Sequence, residues 1–175
     1  MLSGILDKLR GGDRRQIGRS EEVAREVTAN PKLFPLVLDG MLSDDPLIRM
    51  RAADAIEKVT RNHPEFLQPF KQKIIQRIAA INQQEVRWHV AQMLPRLRLT
   101  PQERSKAVSI LLKYLQDKSR IVQTCSMVAL SDFAIQSPRR RPRIIPLIER
   151  LTRTGSPAVR NRGRKLLRRL QASET

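Results

Sequence analysis

The residue types that carry most proton-transfer and nucleophilic chemistry are scarce in this chain and far apart. Its 175 residues hold two histidines, one cysteine and one tryptophan. His63 precedes Pro64, a helix-cap position, and His89 follows Trp88 on the flank of an apolar-periodic run. No spacing of His, Cys, Asp and Glu resembles a metal site, and neither a P-loop nor a dinucleotide fingerprint occurs. Cys125 has no His or acid pattern beside it to generate a thiolate, so it reads as a partly buried structural thiol. The expectation is a protein without enzymatic activity, with no catalytic, cofactor-binding or metal site.

What the chain has in quantity is positive charge. It carries 34 Lys and Arg against 17 Asp and Glu, a net +17. Such an excess suits an acidic partner: nucleic acid, an acidic protein surface or anionic lipid. The charge is unevenly spread. Residues 139–175 hold twelve basic and two acidic residues, whereas 31–64 hold five of each. Two runs dominate. "SPRRRPR" (137–143) contains Arg139, Arg140, Arg141 and Arg143; "PAVRNRGRKLLRRL" (157–170) contains Arg160, Arg162, Arg164, Lys165, Arg168 and Arg169. For each run the plain reading is a solvated surface. The functional reading is contact with phosphates or acidic side chains, and the first run also fits a nuclear-localisation patch in a eukaryotic source. These ten residues are the candidate contacts with an acidic partner.

The elements that must carry this charge follow from the prolines. Asn30-Pro31, His63-Pro64, Thr100-Pro101 and Ser137-Pro138 place their prolines 33, 37 and 37 residues apart, each ahead of a helix-period apolar run. A polar residue followed by Pro is a helix start: the first can accept a capping hydrogen bond and Pro fits the first helical position. Thr100 and Glu103 also have capping-box spacing. A second helix follows each first run, and Ile48, Val86, Val122 and Val159 align those helices at intervals of 38, 36 and 37. Two sets of landmarks thus give one period of about 37, the mark of a two-helix repeat. The reading is all-α and one domain over 1–175, with repeats 30–62, 63–99, 100–136 and 137–172. Residues 1–29 form a divergent cap made of a short amphipathic helix (2–10), a Gly-rich turn and a helix (20–28).

Within the first repeat, "DDPLIRMRAADAIEKV" resembles the second half of a HEAT repeat, with its Asp-Pro turn, Ile-Arg pair and Ala-rich helix. The resemblance covers roughly 30–170 by periodicity and is weaker in the third repeat, where Gln123 replaces the Arg. It implies an α-solenoid whose second helices line a concave side.

Numbering each second helix from its Ile or Val assigns jobs to positions. Ile48, Ala52, Ala55, Ile56 and Val59 are expected in the core, as are Val86, Val90, Met93 and Leu94. The small column Ala52, Val90, Ser126, Gly163 permits close helix approach. The next column, Ala53, Ala91 and Met127, turns charged at Arg164, as suits a terminal repeat with no further neighbour. The column of Arg49, Arg87, Gln123 and Arg160 is either a structural ladder, with Arg49, Arg87 and Arg160 bonding loop acceptors such as Asp44 or Asp45, or a row that binds acids. Given the resemblance, a concave groove would expose Met50, Asp54 and Glu57, Trp88 and Gln92, and Thr124 and Val128. Trp88 there is either a protein-binding anchor or a ring folded onto its own repeat.

These expectations converge on a scaffold or adaptor presenting a groove and a basic C-terminal end to an acidic partner, protein or nucleic acid. The resemblance also offers an alternative. HEAT-like repeats build alkylpurine DNA glycosylases, which use concave-face aromatics and a carboxylate, and Asp54 and Trp88 occupy adjacent concave positions. Bilin lyases with similar repeats are more remote. No run of about 18 apolar residues occurs and the N-terminal stretch carries charges inside its apolar part, so neither a membrane span nor a secretory signal is expected. A lone cysteine implies no oxidising compartment. The expected location is intracellular and cytoplasmic, or nuclear in a eukaryote, and the expected state is a monomer.

Overall fold

The computed structural model describes residues 4–13 and 15–173. They form ten α-helices joined by turns and short 3-10 segments, with no strand among the described residues. The chain divides into two compact units, Met1–Arg98 and Leu99–Thr175.

The first unit contains α1 (Gly4–Asp7), α2 (Ser20–Ala29), α3 (Phe34–Gly40), α4 (Pro46–Asn62), α5 (Lys71–Gln76) and α6 (Gln84–Met93). The amphipathic helix expected over 2–10 is shorter, ending at Asp7, and residues 2 and 3 lie outside the described residues. Beyond it the chain turns, and the carbonyls of Leu9 and Gly11 accept from the Arg51 guanidinium at 3.0 and 2.6 Å. Asn30-Pro31 and His63-Pro64 open 3-10 segments before α3 and α5. Pro35 and Pro69 lie within those apolar runs, and a ring without an N–H breaks the ladder, so neither first helix is long and continuous.

α4 is the centre of this unit and packs on α2, α3 and α6. Asp45 starts it, accepting the Leu47 amide at 2.8 Å. Ile48, Ala52, Ala55, Ile56 and Val59 are buried, as are Val86, Val90, Met93 and Leu94. Burying each large aliphatic among them contributes about 1.5–3 kcal/mol. Phe34 adds an aromatic cluster, with its ring 5.6 Å from Phe66 and 5.7 Å from Phe70.

The second unit contains α7 (Pro101–Tyr114), α8 (Arg120–Gln136), α9 (Arg141–Thr154) and α10 (Pro157–Ala172). Here the helices are long. Thr100 and Glu103 close a reciprocal capping box on α7. α8 packs on α7, α9 and α10, and α10 packs on α9 as an antiparallel partner joined by a short turn. Gly163 brings the last pair together. A Cβ there would stand 1.9 Å from Thr152 Oγ1 and 3.3 Å from Met127 Cε, so only glycine allows this approach.

Candidate functional site

α10 arises from a simple pattern. Ser156 accepts the Val159 amide and Pro157 supplies the first helical residue. Val159, Gly163, Leu166 and Leu170 are buried, and at 3.6 residues per turn they share one narrow side. Arg160, Arg162, Arg164, Lys165 and Arg168 are all exposed around the remainder and make no side-chain hydrogen bond among the described residues. Arg169 differs: its guanidinium meets Asp132 on α8 at 2.6 Å. Five of the six candidate residues on α10 therefore present charge that no described residue of the second unit pairs with.

The run at 137–143 splits in the same way. Arg139 and Arg143 are exposed. Arg140 bonds Ser105 Oγ at 3.2 Å, and Arg141 bonds the Ala134 carbonyl, the Ser173 carbonyl and Ser173 Oγ, tying α9 to its neighbours. Arg150 and Arg153, which the sequence patterns did not single out, are also exposed on α9. Ile144 and Ile148 face the core, and counting helical turns from them would have found both arginines.

The arginine column is a ladder at its first rung. Arg49 donates to the Ser43 carbonyl at 2.7 Å and the Asp44 carbonyl at 3.1 Å, and to Gln83 Oε1 at 2.8 Å. Gln83 in turn donates to the Pro46 carbonyl. Asp44, one of the loop acceptors the sequence suggested, is bonded through its backbone carbonyl, and Ser43 and Gln83 complete the set. Gln123 does the same job in the second unit, donating to the Asp117 carbonyl six residues back, as Arg49 does to Ser43. Arg87 is half-buried, and Arg160 is exposed without a side-chain bond among the described residues.

The groove candidates Met50, Asp54, Trp88 and Gln92 in the first unit, and Thr124 and Val128 in the second, are all half-buried. Glu57 is not on an open surface as the sequence suggested; it is 1% exposed. α6 packs close enough to α4 that Arg96, just beyond α6, reaches Glu57 Oε1 at 2.6 Å, while Arg61 donates to both carboxylate oxygens from within α4. Burial pushes the Glu57 carboxyl up, but the two guanidinium groups outweigh it and hold the pKa below the usual value.

Asp54 belongs to the same seam. Its carboxylate accepts from Ser20 on α2, pairs with Lys58 at 2.9 Å and faces His89 Nε2 at 3.9 Å. Lys58 also reaches Glu21. His89, bonded to Gln92 through Nδ1, has its pKa lowered by burial, which outweighs the attraction of Asp54. The seam thus spends its polar groups on linking α2, α4 and α6. An open hollow of about 280 Å³ is lined by Arg49, Met50, Gln83 and Glu85 among others.

Arg51 escaped sequence reasoning altogether. It is 2% exposed, and its guanidinium donates to the carbonyls of Leu9, Gly11, Asp13 and Gln16. The only available signal was Gly11, Gly12 and Gly18, three glycines with positive φ that shape the loop around it. A Cβ on Gly18 would lie 2.7 Å from the guanidinium carbon. Cys125 is half-buried, and His63 pairs with Glu65 at 3.1 Å while stacking on Phe66. No group of three His, Cys, Asp or Glu residues that could hold a metal exists among the described residues. None of the described helices is long and apolar enough to cross a membrane. No protein-family model matches the chain, and no curated protein matches it in sequence.

Proposed function

We propose that this chain is a HEAT-like α-solenoid of about four two-helix repeats acting as a non-enzymatic binding scaffold, with α10 and its flank as the surface that meets an acidic macromolecule. The repeat reading draws support from equivalent bonding: Arg49 and Gln123 both reach the carbonyl six residues back. The binding reading rests on one observation. Arg160, Arg162, Arg164, Lys165 and Arg168 are exposed, with no side-chain bond among the described residues, on a helix whose other side is anchored in a core. A helix already folded before binding spares the backbone ordering cost, and its charges steer an oppositely charged partner from a distance. The polar seam offers no comparable free chemistry, because Asp54 already has Ser20 and Lys58 as partners.

The test is a titration of the full chain against two polyanions, random-sequence DNA duplex and poly-glutamate, at about 50 mM salt. Binding to at least one is expected, with an Arg164→Gln/Lys165→Gln/Arg168→Gln variant losing at least about tenfold in affinity. A variant that binds as well as the parent places the interaction elsewhere and overturns this reading.

A further inference from the structure

Building on this acidic-partner reading, we infer that the partner is duplex DNA, with α10 laid in its major groove and its two flanks contacting phosphates on opposite walls. Advancing about 100° per residue from Val159, Arg160 and Arg164 fall near 100° and 140°, Arg168 near 180°, and Lys165 and Arg162 near 240° and 300°. The basic groups therefore cover an arc of about 200° and are not confined to one stripe. Gly163, near 40°, abuts Thr152 of α9 and Met127 of α8, so both helices pack on the apolar side. Arg169, near 280°, lies within the arc and reaches back to Asp132 of α8. Arg160 and Arg164 lie on one side of Arg168 and Lys165 and Arg162 on the other, and all five are exposed.

A flat acidic protein surface would engage one flank and leave the other in water. Two rows of phosphate facing each other across a groove engage both. The major groove of B-form DNA is about 12 Å wide and admits a helix, and the 16 residues of α10 extend about 24 Å. The major groove of an RNA duplex is deep and narrow and does not admit one.

Two further observations favour duplex DNA. Protein interfaces are anchored by large exposed apolar or aromatic groups. The large hydrophobic residues exposed among the described residues are Ile17 and Ile121, neither on α9 nor on α10. Single-stranded nucleic acid is held by stacking on aromatic faces. The aromatic residues of the second unit, Tyr114 and Phe133, are both buried.

The experiment measures the affinity of the full chain for a random-sequence DNA duplex by fluorescence anisotropy between about 50 and 200 mM salt. Each phosphate contact contributes about 0.9 to the slope of log K against log salt, so five contacts predict a fall of roughly 500-fold over that range. Arg160→Gln/Arg164→Gln removes one flank and Arg162→Gln/Lys165→Gln the other; each is expected to lower the slope by about 1.8. The charge-retaining pair Arg160→Lys/Arg164→Lys is expected to keep it, as is Arg25→Gln on the surface of the first unit. Loss from one flank alone overturns the two-walled geometry. RNA duplex or single-stranded DNA bound as tightly as DNA duplex overturns the groove assignment. If poly-glutamate binds and DNA does not, the inference fails while the acidic-partner reading stands; if neither binds at 50 mM salt, both fail.

Discussion

Glu57 concentrates the electrostatics of the first unit in one side chain. Its carboxylate is buried and accepts from Arg61 and Arg96 at 2.6 to 3.0 Å, so its charge persists only because two guanidinium groups share it. Removing one member of a buried pair leaves the others uncompensated, which typically costs about 3–5 kcal/mol. The Arg61 side chain is 56% exposed and that of Arg96 22%, so the charges left behind are partly solvated and Glu57→Gln is expected to cost less than that range, about 1–3 kcal/mol at pH 7. The pH dependence follows from the direction of the shift. The Glu57 pKa is lower folded than unfolded, so its contribution is fully present above the unfolded value near 4.3 and is lost as pH falls from there towards the folded value. Chemical denaturation at pH 7 and pH 3 checks both points: the gap between parent and variant narrows in acid. An equal gap at both pH values rules out the ionised carboxylate as its source.

Helices reveal what their sequence could and could not say. The sides of α4, α6 and α10 were legible because each helix has an apolar stripe with the helical period, and Ile48, Val86 and Val159 are buried as that period requires. Gly163 was legible too, as the smallest member of a column of small residues. Glu57 and Arg51 were not. A charged residue on a flank reads as solvated unless its partners are known, and those partners come from Arg96, 39 residues later, and from loop carbonyls about 40 residues earlier. On α10, the free arginines were visible as a group, but Arg169 could not be separated from them without Asp132 beside it. The close approach of α9 and α10 makes an element-level prediction. Gly163→Ala forces its Cβ into Thr152, whose hydroxyl bonds the Ile148 carbonyl at 2.7 Å, and is expected to destabilise the protein by about 1–3 kcal/mol. Adding Thr152→Ala removes the nearest clashing atom, so the double variant recovers part of that loss. Strict additivity of the two changes in thermal unfolding contradicts the contact.

At the scale of the whole molecule, the basic excess opposes folding. A chain at +17 repels itself, and twelve of its basic residues lie within 139–175 against two acidic ones. Most charges of the first unit's seam meet a partner, and those on the outer arc of α10 have none among the described residues. Charges that weaken the fold are the pattern expected where a binding surface trades stability for function. The repulsion is between exposed groups, so salt screens it once the Debye length falls to about 8–10 Å. The melting temperature is therefore expected to rise by a few degrees between about 10 and 150 mM salt, opposite in direction to the loss of polyanion binding over the same range. Arg160→Gln/Arg164→Gln/Arg168→Gln should raise the low-salt melting temperature and flatten its salt dependence while weakening binding. Scanning calorimetry of parent and variant across that series checks both. If the variant melts no higher than the parent at low salt, the arginines are not in mutual repulsion, and their exposure needs an explanation other than binding traded against stability.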